Sequence, residues 1–278
     1  MKKKFMIVGV IFMAMGLALF AGAAIAFGFD FSKLDAAKYE TDEYIIEEDF
    51  QKIDIISNET DIRLKPSDDG KTKIVCVELE TVKHSVSVAD GTLNISAADQ
   101  RKWYEFFNLH FKSLSITVYL PSVDYAAVTV NGRTGDIRIE NIVANQINLS
   151  VSTGSIALNN VACGGNISVN VSTGDTRLTD VDCKNFISEG STGNVTLKNV
   201  VATENFTIKR STGNIRFENC DAGEIVVKTS TGNVTGTFRT EKVFIAKTST
   251  GTVKVPPTTA GGKCEITTSP GDIKLDLI

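Results

Sequence analysis

The stretch STGNVTLKNVVATENFTIKRSTG, residues 191–213, decides how this chain folds. It opens and closes on the same tripeptide, Ser191-Thr192-Gly193 and Ser211-Thr212-Gly213. Between them lie two apolar alternations, Val195, Leu197 and Val200, then Phe206 and Ile208. Side chains that alternate along a strand point to one face, so one such unit is two short strands with a corner at each end. The unit recurs. Gly135, Gly154, Gly174, Gly193, Gly213, Gly232, Gly251 and Gly271 follow one another at steps of 19 or 20 residues. Seven of these eight glycines follow a Thr, and seven have a Ser two places before them. A period near 20 marks a stacked repeat, in which each coil buries its apolar side only against its neighbours.

The tripeptide has a mechanical reason. A corner must reverse the chain in few residues, and glycine reaches positive φ without steric cost. Ser and Thr hydroxyls bond to backbone groups that a corner leaves unpaired. Asn194, Asn214 and Asn233 follow three of the glycines and are expected to stack as an amide ladder. Pro270 replaces Thr in the last unit, which reads as an atypical, capping coil. The expected fold is all-β: a two-sheet parallel β-solenoid of about eight coils of 19–20 residues, roughly 35 Å tall at the inter-strand spacing.

Upstream, residues 49–124 form a β-rich capping region. Ile53-Asp54-Ile55 and Ile62-Arg63-Leu64 alternate, and His84 to Ile95 reads as a hairpin on Asp90-Gly91. The repeats themselves are expected over residues 125–278. Residues 30–48 are an acidic spacer. Residues 1–29 are a different object: Lys2, Lys3 and Lys4 precede an uncharged run from Phe5 to Phe29. At 1.5 Å per residue such a run reaches roughly 37 Å as a helix, more than the hydrocarbon core of about 30 Å. The lysines favour a single-pass cell-membrane anchor with a cytoplasmic N-terminus and an extracellular body. A cleaved signal peptide ending near Ala24-Ile25-Ala26 is the competing reading. The run is longer than a signal core of about 7–15 residues, which favours the retained transmembrane helix.

Outside that segment, 26 basic side chains face 33 acidic ones. That balance argues against nucleic acid as a partner. Cys76, Cys163, Cys183, Cys220 and Cys264 are odd in number and follow no metal spacing. Cys163 and Cys183 share a repeat position with Ala144, Ala202 and Ala222, so they read as small buried thiols, although adjacent coils would bring them within disulfide reach.

The unit corners, with Phe50-Gln51-Lys52-Ile53, the segment from Leu64 to Gly70, and Tyr119-Leu120-Pro121, resemble the bacterial "putative adhesin" family of β-strand repeats, a domain of unknown function found in LiaG-like envelope proteins. The resemblance spans residues 44–278. It implies the solenoid and a surface role, and supplies no site residues.

Nothing in the sequence assembles a reaction centre, a cofactor site or a small-molecule substrate site. His84 and His110 stand on unrelated segments. Asp136, Asp175 and Asp272 follow corner glycines in non-adjacent coils, unlike a calcium roll with an Asp in every loop. The candidate binding surface is a basic row, Lys209, Lys228 and Lys247, four residues before successive glycines. An apolar row, Ile187, Val226 and Ile245, runs beside it. Together they suggest a docking face for an anionic envelope polymer or a membrane protein. Trp103, the one tryptophan, lies in an aromatic segment from Arg101 to Phe111 that reads as a plug over the first coil, as a partner contact or as an interfacial contact with the bilayer. The expected function is non-catalytic: an adhesin or envelope scaffold, with an accessory or sensor role in envelope-stress signalling as the alternative.

Overall fold

The computed structural model describes residues 2–26, 38–99 and 113–278. Lys2–Ala26 is an α-helix. Among the residues whose side chains are described, no helix is long and apolar enough to cross a membrane. From Tyr39 onward the described chain is built of strands.

The repeat stacks in parallel with one residue set above another. Val195 pairs with Thr176 below and Ile215 above, and Leu197 with Leu178 and Phe217. A Cβ added to Gly193 would lie 2.0 Å from the carbonyl oxygen of Gly174. The corner therefore needs glycine twice over, for its φ of 134° and for this close approach.

Each coil has three sides, where two facing sheets were expected. In residues 191–213, Val195 and Leu197 point inward, and Asn199 then adopts φ +52°. A single left-handed residue bends the strand and restarts the inward alternation at Val200 and Ala202. The chain turns again before Phe206 and Ile208. Asn141, Asn160, Asp180 and Asn219 hold the same left-handed conformation in their coils. Read from sequence, that residue passes for part of a polar turn. Its corner creates a short side whose interior is narrow, and Ala144, Cys163, Cys183, Ala202 and Ala222 fill it. All five cysteines are free and buried.

Each corner carries a polar ladder. At the glycine corner the side-chain oxygen of one coil accepts the backbone N–H of the next: Asp175 from Asn194 (2.8 Å), Asn194 from Asn214 (2.9 Å) and Asn214 from Asn233 (2.9 Å). At the left-handed corner the Asn199 amide donates to Asp180 (2.8 Å) and Asn219 to Asn199 (2.7 Å). At the third, Asn185 donates to Asn166 (2.9 Å) and Asn205 to Asn185 (2.8 Å). The expected ladder exists, and two more accompany it.

Space and sequence part company at both ends. Near the start, Lys52–Glu59 and Asp61–Pro66 form a rung. It lies between the rung of Ala127–Thr134 and Ile137–Glu140 and that of Thr92–Asp99 and Ser115–Leu120. The stack thus begins well before residue 125, within the segment read as a cap. Antiparallel strands close it: Thr72–Leu79 against Ser115–Leu120 and Tyr39–Ile46, and Val82–Ala89 against Thr92–Asp99. The Asp90-Gly91 hairpin turn has positive φ at both residues, as a type I′ turn requires.

At the far end, Gly262–Pro270 inserts between Ile215–Thr231 and Lys242–Thr250. Ile273–Leu277 likewise inserts between Val234–Phe238 and Val253–Lys254. The glycine column therefore ends Gly232, Gly271, Gly251. The Pro270 coil was expected to cap the solenoid and is instead the penultimate rung. The reason is packing. Cys264, Ile266, Ile273 and Leu275 can be covered from both sides and are buried. On the inward side of the 242–254 rung Phe244 and Ala246 are half-buried and Val253 is exposed, and this rung takes the edge.

Among the described residues the core is one large cluster along the stack, with a small second one of Leu79, Val82 and Leu114 at the antiparallel end. The large cluster is aliphatic at first and becomes aromatic through Phe186, Phe206, Phe217, Phe238 and Phe244, with neighbouring ring centroids 5.0–6.4 Å apart. Arg210 interrupts it. Its guanidinium lies inside, donating to Thr176 Oγ1 and Ser188 Oγ at 2.9 Å. Burial lowers its pKa to about 10. Gly190 beside it makes room: a Cβ there would meet Arg210 Nη1 at 2.9 Å.

Candidate functional site

The strand order rewrites the expected binding surface. Lys209 pairs directly with Lys228 on the outward face of one long side. Thr267 then separates Lys228 from Lys247. Lys209 is already bound to Glu189, Nζ to Oε1 at 2.8 Å. The apolar row is broken in the same way. Ile187 and Val226 are half-buried, Thr207 stands between them, and Glu265 separates Val226 from Ile245. Lys263 donates to Glu265 and holds its carboxyl below the usual value, with Lys228 and Lys247 adding to the effect. Rows inferred from chain order alone contained a rung too few. Trp103 and His110 lie outside the described residues.

A second cation column was not expected. On the other long side Arg63, Arg138, Arg177, Arg216, Lys274 and Lys254 fall in one outward line, with Ala157, Thr196 and Thr235 between some of them. Read singly, these residues look like a mixed solvated face. Most sit beside a carboxylate two residues away in their own coil. Arg138 approaches Asp136 at 2.7 Å, Lys274 approaches Asp272 at 2.6 Å, and Arg216 is 3.9 Å from Glu218. Such exposed pairs contribute little stability, of order 0–1 kcal/mol, and leave the cations available at the surface.

The short side is a trough. One hollow of about 520 Å³ runs past Val143, Cys163 and Asp182, and a second of about 500 Å³ past Val201, Asp221 and Lys242. They share Thr203. Lys242 is buried beneath the second, its Nζ 2.6 Å from Asp221 Oδ1.

The corner aspartates spend their oxygens on the fold. Asp136, Asp175 and Asp272 accept the backbone N–H of Ser155, Asn194 and Thr252 at 2.8–2.9 Å. Their oxygens complete the corner ladder, which is what their place after the glycine achieves.

One polar cluster is buried at the antiparallel end. Cys76 and Glu78 sit two residues apart on the inward face of Thr72–Leu79, and His84 lies on the adjacent strand Val82–Ala89. His84 Nδ1 is 2.6 Å from Glu78 Oε2, which also accepts the His84 backbone N–H at 2.8 Å. His84 Nε2 is 3.2 Å from Ser57 Oγ. The order Ser–His–Glu is that of a nucleophilic relay, but Ser57 is only 3% exposed and lies under the sheet. Burial pushes the Cys76 thiol up to about 12. A visible signal did exist in the sequence: Ile74, Cys76 and Glu78 share the inward register of one strand, where a carboxylate is out of place.

A family model, described as Toastrack DUF4097, matches residues 50–185 and again residues 162–278. A protein of Bacteroides fragilis described as a "putative adhesin" is 22% identical, with 87% of this chain and 99% of that chain covered and a TM-score of 0.55. That likeness concerns the fold. A second "putative adhesin", from Parabacteroides distasonis, is 15% identical over 87% of this chain and 98% of its own, with a TM-score of 0.34. A "putative lipid binding protein" of the same species is 13% identical over 86% and 97%, with a TM-score of 0.29. None of these descriptions is that of an enzyme. Among curated proteins, none matches the chain.

Proposed function

We propose a function from one premise: the chain belongs to the Toastrack DUF4097 family. In this reading it is a non-catalytic cell-surface protein, an adhesin or envelope scaffold. It is held at the cell membrane by a single span near residues 5–29, with its N-terminus in the cytoplasm and the solenoid outside. The uncharged run after Lys2, Lys3 and Lys4 supports the span and its orientation.

One observation carries the surface role. The solenoid presents outward columns of cations along both long sides, repeated at one or two inter-strand spacings: Arg63 to Lys254 on one, Lys209 and Lys228 on the other. A repeated lattice of this kind suits a repeated ligand, because each added contact is made at raised effective concentration. The partner in this reading is an anionic envelope polymer, not nucleic acid or a small-molecule substrate.

Sedimentation of the purified body with cell-wall material tests the proposal. The chain with Arg138→Gln, Arg177→Gln, Arg216→Gln, Lys209→Gln and Lys228→Gln is expected to lose at least tenfold in wall binding while its fold is retained. Unchanged binding would remove the polymer reading. Crosslinking in cells to a membrane protein, with no wall binding, would turn the assignment to the sensor role.

A further inference from the structure

We propose that Cys76, Glu78 and His84 form a binding site for a borderline-soft divalent cation of the zinc class, fastening the antiparallel end to the rung beside it. A thiolate sulfur, an imidazole nitrogen and a carboxylate oxygen are the donor set such ions prefer. One donor atom from each of the three residues lies within 4.8 Å of the others. In a tetrahedral site with bonds of 2.0–2.3 Å, ligand atoms stand about 3.3–3.8 Å apart, so side-chain adjustments of about 1 Å bring these donors to three of its four positions.

Three features single this cluster out from the rest of the core. First, its residues are buried: Cys76 and Glu78 are 0% exposed and His84 4%. Second, Glu78 Oε1 has no hydrogen-bond partner although it is buried, which is rare and calls for an explanation. Lys83 Nζ is ion-paired to that oxygen at 3.6 Å, beyond donating distance, and gives its hydrogen bonds to Glu40 and to Asp42, whose carboxyl neighbours Glu78. Third, Cys76 is the cysteine with a carboxylate and an imidazole beside it among the described residues, and two of the others are surrounded differently. Cys163 and Cys220 point their sulfurs at backbone carbonyls, at 3.6 Å from Asn145 O and 3.3 Å from Leu197 O.

The chemistry balances simply. The cation takes the place of the proton between His84 Nδ1 and Glu78 Oε2, and that contact opens from 2.6 Å. The ring keeps one proton, now on Nε2, and donates it to Ser57 Oγ, 3.2 Å away. The thiol proton leaves to solvent, so a dication meets one thiolate and one carboxylate. Ser57 is then a positioning residue: it fixes the ring, as outer hydrogen-bond partners do at zinc sites. It stands on the Lys52–Glu59 rung, so the bound ion ties that rung to two antiparallel strands.

Cobalt(II) alone is the probe. Titrated into the reduced full-length chain, it is expected to bind once per chain, to give a thiolate-to-cobalt band in the near ultraviolet, and to be displaced by zinc. Cys76→Ala should abolish that band and Cys264→Ala should leave it. Ser57→Ala should keep the band while weakening binding about 10-fold or more. Glu78→Gln risks the fold, so Cys76→Ala and Ser57→Ala, checked for β-structure by circular dichroism, carry the result. A folded wild-type chain with no thiolate band overturns the proposal. So does a band that survives in Cys76→Ala.

Discussion

The middle of the solenoid and its C-terminal end are built from the same repeat, yet they obey chain order differently. From Gly154 to Gly232 each coil lies on the one before it in sequence. Beyond Gly232 the next coil in sequence moves to the outside, and the last one slides in beneath it. The corner glycines and the inward alternation are alike in both regions, and only Pro270 departs from the Thr that precedes the other corner glycines. What differs is the capacity to be covered on both sides. Cys264, Ile266 and Ile273 are 0% exposed, whereas their inward-facing partners on the outer rung are half-buried, as Phe244 and Ala246 are, or 42% exposed, as Val253 is. At about 25 cal/mol per Å² of apolar surface, the better-filled rung gains more from an interior place. A repeat therefore specifies the coil, and the composition of each coil specifies its place at an end.

The largest effect should separate the two regions at identical corners. Gly193→Ala places a Cβ 2.0 Å from the Gly174 carbonyl at φ 134°. It is expected to cost more than about 3 kcal/mol, since strain and overpacking add. Gly251→Ala meets the Gly271 carbonyl at 2.2 Å. Its φ of 150° carries the same strain, but its rung is the outermost and can shift away from the contact, so a smaller cost of about 1–3 kcal/mol is expected in urea unfolding. Equal costs would mean that the edge is as constrained as the interior.

A core substitution sharpens the same contrast. Phe206→Ala empties a fully buried site between Phe186 and Phe217, and a loss of about 3–5 kcal/mol is expected. Phe244 is only partly buried, packed on Phe238 at 6.4 Å. Phe244→Ala should cost about 1 kcal/mol, and hydrogen exchange should show the loss confined to residues 242–254.

Much of this fold is legible before any coordinates. The period of 19 or 20 residues, the glycine corners and the Asn194 column need only the spacing. The third side is not legible, because Asn199 in a polar turn and Asn199 in a left-handed bend read alike until φ is known. The end order is not legible either. Lys228 and Lys247 stand 19 residues apart, as stacked neighbours would, and nothing local announces that Thr267 comes between them. The surface columns inherit that error. The buried cluster spans three strands, and only the inward phase of Glu78 hinted at it. Arg210 gave a similar hint: it stands in an inward column with Val171 and Gly190.

The smallest effect is one of pH. Asp272 joins the outer rung to the stack by accepting the Thr252 N–H, and Lys274 beside it is the first cause that lowers its pKa from 3.8. A depressed carboxyl stabilises above its ordinary value and loses that contribution as pH falls through the lowered one. Amide exchange in residues 242–254 is thus expected to accelerate below about pH 4, ahead of the middle rungs. Uniform acceleration would separate the edge from this carboxylate.

Chain order at the C-terminal end is the claim on which the corrected surface depends, and paired cysteines read it directly. Residues 228 and 267 are partners across adjacent strands, at about the 4.8 Å spacing that a disulfide can bridge. Residues 228 and 247 stand two strands apart, on either side of residue 267. Under mild oxidation, Lys228→Cys with Thr267→Cys should crosslink quickly within the chain, and Lys228→Cys with Lys247→Cys should not. The opposite outcome, a fast 228–247 bridge and an unreactive 228–267 pair, would contradict the inserted rung and restore the order of the sequence.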